Sequence, residues 1–130
     1  MTALLDTTVF IARESGRAAN FGAIPTETHV CVITMAELQA GVLAADDVET
    51  RAQRLATVEL LASTELLPVD DAAARSWAVL RVRLRDARRA MKVNDLWIAA
   101  IAHARGLAVV TQDTDFDVLA ELGLLKVIRL

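Results

Sequence analysis

Five acidic residues in this sequence lie just after apolar runs or at the start of apolar helices. An active site could be built at such positions. Asp6 follows the run "ALL", and Glu37 lies in "VITMAEL", just after the run "HVCVI". Asp95 opens the apolar stretch "NDLWIAAIAHARG", while Asp113 and Asp115 follow "LAVVT". Carboxylates without a histidine partner suit a hard cation such as Mg²⁺ or Mn²⁺. If these side chains converge, the ion could activate a water and stabilise charge on a phosphate.

Convergence of these acids would be unfavourable without a cation. Two carboxylates about 5 Å apart repel each other by about 3 kcal/mol at an effective dielectric constant of about 20. A group of three or four acids therefore predicts a divalent ion among them.

Strands and helices alternate along the chain, and this order decides where the acids lie. Apolar runs predict strands at "ALL", "HVCVI", "ELLPV", "LAVVT" and "LLKVIRL", with helices between them. We therefore predict an α/β fold: one domain over residues 1–130, with a mostly parallel sheet of about five strands and helices on both faces. Ligands bind beyond the carboxyl ends of such strands, which would gather Asp6, Glu37 and Asp113 at one rim. Asp95 would join them if its helix starts on the same side.

Helix capping is the competing explanation for each acid taken singly. Thr34 to Glu37 has the spacing of a capping box, and Asn94 or Asp95 could cap the helix that follows. Thr34 alone could supply the cap, so capping would not require Glu37. Asp113 and Asp115, the two acids after "LAVVT", are more than the start of one helix requires. Spacing alone therefore favours the chemical explanation only modestly.

Composition excludes several classes of protein. Hydrophobic residues make up 55% of the chain and charged residues 24%, which excludes a disordered protein. No apolar run approaches the roughly 20 residues that cross a bilayer, and no signal peptide is recognisable, so we expect no membrane association. The single cysteine, Cys31, allows no internal disulfide, and we expect a cytoplasmic protein.

Basic residues concentrate in one segment, although the net charge is −3. Seven of the 14 basic residues lie between positions 75 and 92, with a single acid among them. A long amphipathic helix is predicted from Asp71 to about Ala90, and an acidic pocket that acts on a phosphate needs a basic surface beside it. An ordinary solvated helix face is the equally weighted alternative. The candidate phosphate-binding residues are Arg81, Arg85, Arg88, Arg89 and Lys92.

Four segments, "LLDTTVF", "VITMAEL", "VNDLWIAAIA" and "LAVVTQDTDFDVL", resemble in order the motifs of PIN-domain ribonucleases. More narrowly they resemble VapC-type toxins of toxin–antitoxin pairs, and the resemblance covers essentially the whole chain. It implies a Mg²⁺- or Mn²⁺-dependent endoribonuclease, usually a homodimer, that a cognate antitoxin keeps inactive. By this resemblance the acidic quartet would be Asp6, Glu37, Asp95 and Asp113. Asp6 and Asp95 would be the most direct metal ligands. The residues in supporting positions would be Thr7, Thr34, Asn94 and Thr111.

The fourth motif departs from the family pattern. Family members often read "T-R-N-x-x-D-F" where this chain reads "TQDTDF". Either Asp113 or Asp115 could therefore be the fourth acid and a metal ligand. We prefer Asp113 because it lies nearer the end of the strand.

Two other functions remain open at this point. A phosphoacceptor receiver domain also clusters acids at strand ends, and here Asp70 would be its acceptor. Such a domain needs a lysine just after its fifth strand, whereas Lys126 is predicted inside the last strand, and Glu37 would have no role. A catalytically inactive binding module of the same fold is the other alternative, although all four acids are present.

Overall fold

Strands and helices alternate in a computed structural model, which describes residues 1–130. The strands are β1 (Thr2–Leu5), β2 (Glu27–Cys31), β3 (Leu66–Leu67), β4 (Ala108–Thr111) and β5 (Val127–Arg129). The helices are α1 (Thr7–Glu14), α2 (Val32–Leu43), α3 (Val48–Ala62), α4 (Asp71–Asp86), α5 (Val93–Ala104) and α6 (Asp117–Glu121). A short 3₁₀ turn spans Phe21–Ala23. The predicted α/β fold is confirmed.

The five strands form one parallel sheet in the order β3-β2-β1-β4-β5. From β1 the chain first builds outward on one side through β2 and β3, then continues on the other side with β4 and β5. The gap between the ends of β1 and β4 is therefore the point where strand order reverses, which is where parallel sheets bind ligands. Leu5 pairs there with Val110, and the Asp6 amide donates to the Val110 carbonyl over 2.9 Å.

The largest core cluster joins this central pair of strands to α4 and α5. Leu4 of β1 and Val109 of β4 are fully buried, and every residue of α5 from Ile98 to Ala102 is fully buried as well. Each large apolar side chain contributes about 1.5–3 kcal/mol when it leaves water. This core fixes the start of α5 relative to the ends of β1 and β4.

Two predicted boundaries are wrong. The strand predicted at "HVCVI" ends at Cys31, because Val32 and Ile33 already belong to α2. The last strand begins at Val127, so Lys126 precedes it instead of lying inside it.

The long amphipathic helix ends four residues earlier than predicted. α4 stops at Asp86, and Arg88 adopts a left-handed conformation with φ of 56°. The Arg89 amide donates to the Leu84 carbonyl over 2.9 Å, which closes the helix as a glycine-containing cap would. Arg88, Arg89 and Lys92 therefore do not continue the helical face that carries Arg81 and Arg85.

None of the helices is both long enough and apolar enough to cross a membrane.

Candidate functional site

Asp6 lies at the centre of the site and is 2% exposed. It occupies the position before α1, yet its side chain makes no capping hydrogen bond. Its Oδ2 accepts hydrogen bonds from Thr8 Oγ1 at 2.8 Å and from Thr111 Oγ1 at 2.9 Å. The pKa of Asp6 is raised above its ordinary value, mainly by burial and to a smaller extent by the charge of Asp113. The hydrogen bonds from the two hydroxyls act in the opposite direction. Capping therefore does not explain this carboxylate.

Thr7 connects Glu37 to the same region. Thr7 Oγ1 lies 2.7 Å from Glu37 Oε1 and 3.2 Å from Thr34 Oγ1, so one hydroxyl links α1 to α2 across 30 residues of sequence. The predicted capping box is wrong, because α2 starts at Val32 and Thr34 already lies in its first turn. Glu37 is thus oriented toward the start of α1 by a buried hydroxyl.

Asp95 completes the cluster from the first turn of α5. Neither Asn94 nor Asp95 caps this helix, since the residue before it is Lys92 and no side-chain cap bond forms. Burial, the charge of Asp6 and a hydrogen bond to Asp115 raise the pKa of Asp95 from 3.8 to about 7. The charge of Asp6 is thus felt at Asp95, second to the effect of burial. Asn94 is exposed and stands apart from these contacts.

Both candidates for the fourth acid lie at the cluster, in different positions. The charge of Asp113 raises the pKa of both Asp6 and Asp95. Asp113 Oδ1 also accepts the Asp115 amide at 2.9 Å, which fixes the turn after β4. The Asp115 carboxylate contacts Asp95 and forms an ion pair with Lys92 over 3.2 Å. The charge of Asp113 thus acts on both Asp6 and Asp95, while Asp115 contacts Asp95 and pairs with Lys92.

The acids as placed do not form a complete set of metal ligands. No group of three or more His, Cys, Asp or Glu side chains is placed so that it could hold an ion by itself. Mg²⁺ usually keeps several waters and takes one or two carboxylates directly, so an open cluster of this kind fits it. All the donors are oxygens, which also agrees with Mn²⁺. Burial and, after it, the charges of neighbouring acids raise the pKa of Asp95, and a bound divalent cation would offset both.

The predicted phosphate-binding residues are scattered. Arg81 and Arg85 are exposed on α4, and Arg85 pairs with Asp86 over 3.1 Å. Arg89 pairs with Glu121 over 3.1 Å. Of the five, only Lys92 contacts an acid of the cluster: its partner Asp115 is the main cause that raises the Lys92 pKa.

Thr8 and Gln112 contribute to the site but were not predicted from the sequence. Thr8 was not predicted to have a role, although its hydroxyl contacts Asp6 and also accepts the Gln112 amide at 3.0 Å. Only the pairing of β1 with β4 brings these residues together, so spacing along the chain could not reveal them.

Asp70, the acceptor that a receiver domain would need, instead caps α4 by accepting the Ala73 amide at 2.9 Å.

Known proteins of one family are similar to this chain over most of its length. The family described as "PIN domain" matches residues 3–122. Ribonuclease VapC5 of Mycobacterium tuberculosis is 52% identical over 126 residues, covering 97% of this chain and 93% of that protein. Ribonuclease VapC4 of the same organism is 39% identical and covers 96% of each chain.

A solved structure gives the same result for the fold. A crystal structure of VapBC-5 from Mycobacterium tuberculosis, described as a member of the VapBC family of toxin–antitoxin systems, superimposes with a TM-score of 0.91 at 48% identity. The match covers 99% of this chain and 98% of that one. The chain belongs to the PIN-domain family, and within it to the VapC group.

Proposed function

We propose that this protein is the toxin of a toxin–antitoxin pair and an endoribonuclease that hydrolyses RNA phosphodiester bonds with the help of Mg²⁺ or Mn²⁺. The observation that carries the proposal is the cluster of Asp6, Asp95 and Asp113 at the point where strand order reverses. The VapC relatives, which are named ribonucleases, supply the substrate class. Residues 1–130 act as one domain, since one continuous sheet organises them.

Asp6 and Asp95 are the residues that would hold the cation most directly, with Asp113 and Glu37 completing the acidic quartet. When bound, such an ion lowers the pKa of a water and offsets negative charge on the phosphate. Asp115 is the alternative fourth ligand, but its ion pair with Lys92 already occupies one of its oxygens.

The hydroxyl groups around the acids have a positioning role. Thr8 and Thr111 both donate to one oxygen of Asp6, which leaves the other oxygen for a ligand. Thr7 donates to Glu37 and fixes its orientation. Glu37 thereby becomes the candidate to accept a proton from the attacking water, because it is oriented by a neutral hydroxyl and carries no paired cation. Thr34 supports Thr7 from α2.

RNA binding beside an acidic pocket requires cations, and the basic segment between α4 and α5 is the candidate surface. Phosphate contacts of this kind position a strand without reading its sequence. Arg81, Arg85, Arg88 and Arg89 are exposed, but a phosphate would have to displace Asp86 from Arg85 and Glu121 from Arg89. Lys92 lies nearest to the acids. If the variant Arg85→Ala plus Arg88→Ala binds RNA with unchanged affinity and salt dependence, this surface is not the binding site.

The partners follow from the relatives. Solved relatives are toxin–antitoxin complexes, which supports a cognate antitoxin protein that keeps this enzyme inactive. We also propose a homodimer, supported by exposed apolar residues such as Val79 and Val82 on α4. The proposed location is the cytoplasm, where an RNA substrate is available.

A cleavage assay tests the proposed function. Purified protein, freed of antitoxin, is incubated with RNA and Mg²⁺, Mn²⁺ or chelator, and is compared with Asp6→Asn and Asp95→Asn. Glu49→Gln is a matched control, because Glu49 is an exposed first-turn acid of α3 outside the cluster. We expect cleavage by the parent and the control with either metal, and none with chelator or with the cluster variants. Activity that survives chelation, or persists in both cluster variants, contradicts the mechanism, and a parent that binds RNA without cutting it supports the inactive binding module.

A further inference from the structure

Gln112 ties the turn after α1 to the strand end that holds Asp6. Its amide N–H donates to Thr8 Oγ1 over 3.0 Å, and Thr8 in turn donates to Asp6. Its side-chain Nε2 donates to the Ala18 carbonyl over 3.1 Å, and its Oε1 accepts from Arg17 Nη1 over 3.2 Å. One residue between Thr111 and Asp113 therefore connects a guanidinium to the acidic cluster.

The turn that carries Arg17 is itself fixed. Gly16 has a φ of 66°, a left-handed conformation in which glycine is favoured, and the Arg17 amide donates to the Ala12 carbonyl over 2.9 Å. The backbone of Arg17 is thus held by the end of α1, and its side chain is oriented by Gln112. Such pre-organisation lowers the entropy cost of binding a ligand.

Arg17 makes no ion pair, whereas several other cations of the chain do. Lys92 pairs with Asp115, Arg89 with Glu121 and Arg129 with Asp117, all over distances of 3.2 Å or less. Arg17 makes no ion pair with a carboxylate, its side-chain partner is a neutral amide, and it is exposed. A guanidinium that is held in place but not neutralised is suited to bind a phosphate.

We propose that Arg17, held by Gln112, binds a phosphate of the RNA strand next to the one that is cleaved. Gln112 is then a positioning residue, and the β4 side of the acidic pocket is a second surface for RNA, separate from the segment between α4 and α5. The inference rests on the proposed RNA-cleaving function.

The test measures binding of labelled single-stranded RNA in chelator, so that no strand is cut. Arg17→Ala should weaken binding about tenfold, as expected for loss of a charged hydrogen bond. It should also reduce the slope of log affinity against log salt by about 0.7, the value for one phosphate contact on a single strand. Gln112→Ala should weaken binding about threefold, and the double variant should bind no more weakly than Arg17→Ala, because both changes remove one contact. Arg13→Ala, an exposed arginine in the last turn of α1, is the matched control and should bind as the parent does.

Three outcomes overturn the inference: an unchanged salt slope in Arg17→Ala, an equal loss in Arg13→Ala, or full additivity in the double variant. Thermal unfolding of each variant checks that the fold is intact. In cleavage assays with Mg²⁺, Arg17→Ala should raise KM while kcat stays within about threefold, since the contact holds the strand and not the reacting atoms. A parent that binds RNA without cleaving it would contradict the proposed function, and the binding series would still decide the role of Arg17.

Discussion

Replacing Asp95 by asparagine should stabilise the metal-free protein. Its pKa is raised from 3.8 to about 7 by burial, by the charge of Asp6 and by contact with Asp115. At 1.36 kcal/mol for each pH unit, the charged form carries a cost of about 4 kcal/mol. Because Asp95 is only partly buried, solvent screening reduces this to roughly 2 kcal/mol. For a chain of 130 residues, 2 kcal/mol corresponds to a rise in Tm of roughly 6–10 °C.

The sign of the pH dependence makes this prediction specific. The folded parent binds a proton at Asp95 more tightly than the unfolded chain does, so its stability falls as pH rises from about 4 to about 7. The gain from Asp95→Asn should therefore be absent below about pH 4 and complete above about pH 7. Thermal unfolding in chelator across this range measures it, with Glu49→Gln as the control that should show no such trend. A lower Tm for Asp95→Asn above neutrality, or a gain that does not depend on pH, would refute the account of a repulsive cluster.

Three other predictions concern residues around and beyond the cluster. Thr7→Val removes the 2.7 Å hydrogen bond to Glu37, and we expect RNA cleavage to fall at least tenfold with a Tm within a few degrees of the parent, which kinetics and thermal unfolding measure together. Asp47→Ala should lower the Tm at neutral pH, because the hydrogen bonds from Thr50 hold the pKa of Asp47 below its ordinary value. The stabilisation by the Asp47 carboxylate is lost as pH falls through that pKa, so parent and variant should unfold at similar temperatures in acid. Cys31 is buried and its pKa is raised by burial, so a thiol reagent should modify it only after unfolding; rapid modification of the native protein would contradict its place in the core.

The fold could be predicted from sequence because its signals are local. Apolar, β-branched runs separated by helical segments indicate a parallel sheet, and the glycine at position 106 marks the end of α5 with its φ of 67°. The end of α4 lacks such a signal. Arg88 takes the left-handed conformation there, and arginine favours helices in general, so periodicity alone extended the helix too far.

The candidate site was only partly predictable for a different reason. Asp6 and Asp113 were candidates because each follows a strand, whereas Glu37 and Asp95 lie inside α2 and α5. Of the hydroxyl groups beside them, Thr7, Thr34 and Thr111 were named only through the family resemblance, and Thr8 was missed. Thr8 meets Thr111 across 103 residues of sequence, and Thr7 meets Glu37 across 30. These contacts depend on how β1, β4 and α2 pack, which no local pattern encodes.

The most direct test of the central claim is a crystal soaked in Mn²⁺ and measured for anomalous scattering. The account predicts a peak between Asp6 and Asp95, with at least one carboxylate oxygen at about 2.1 Å, and a weaker peak or none in the Asp95→Asn variant. A fully occupied ion elsewhere on the surface, with no density between these two carboxylates, would contradict it.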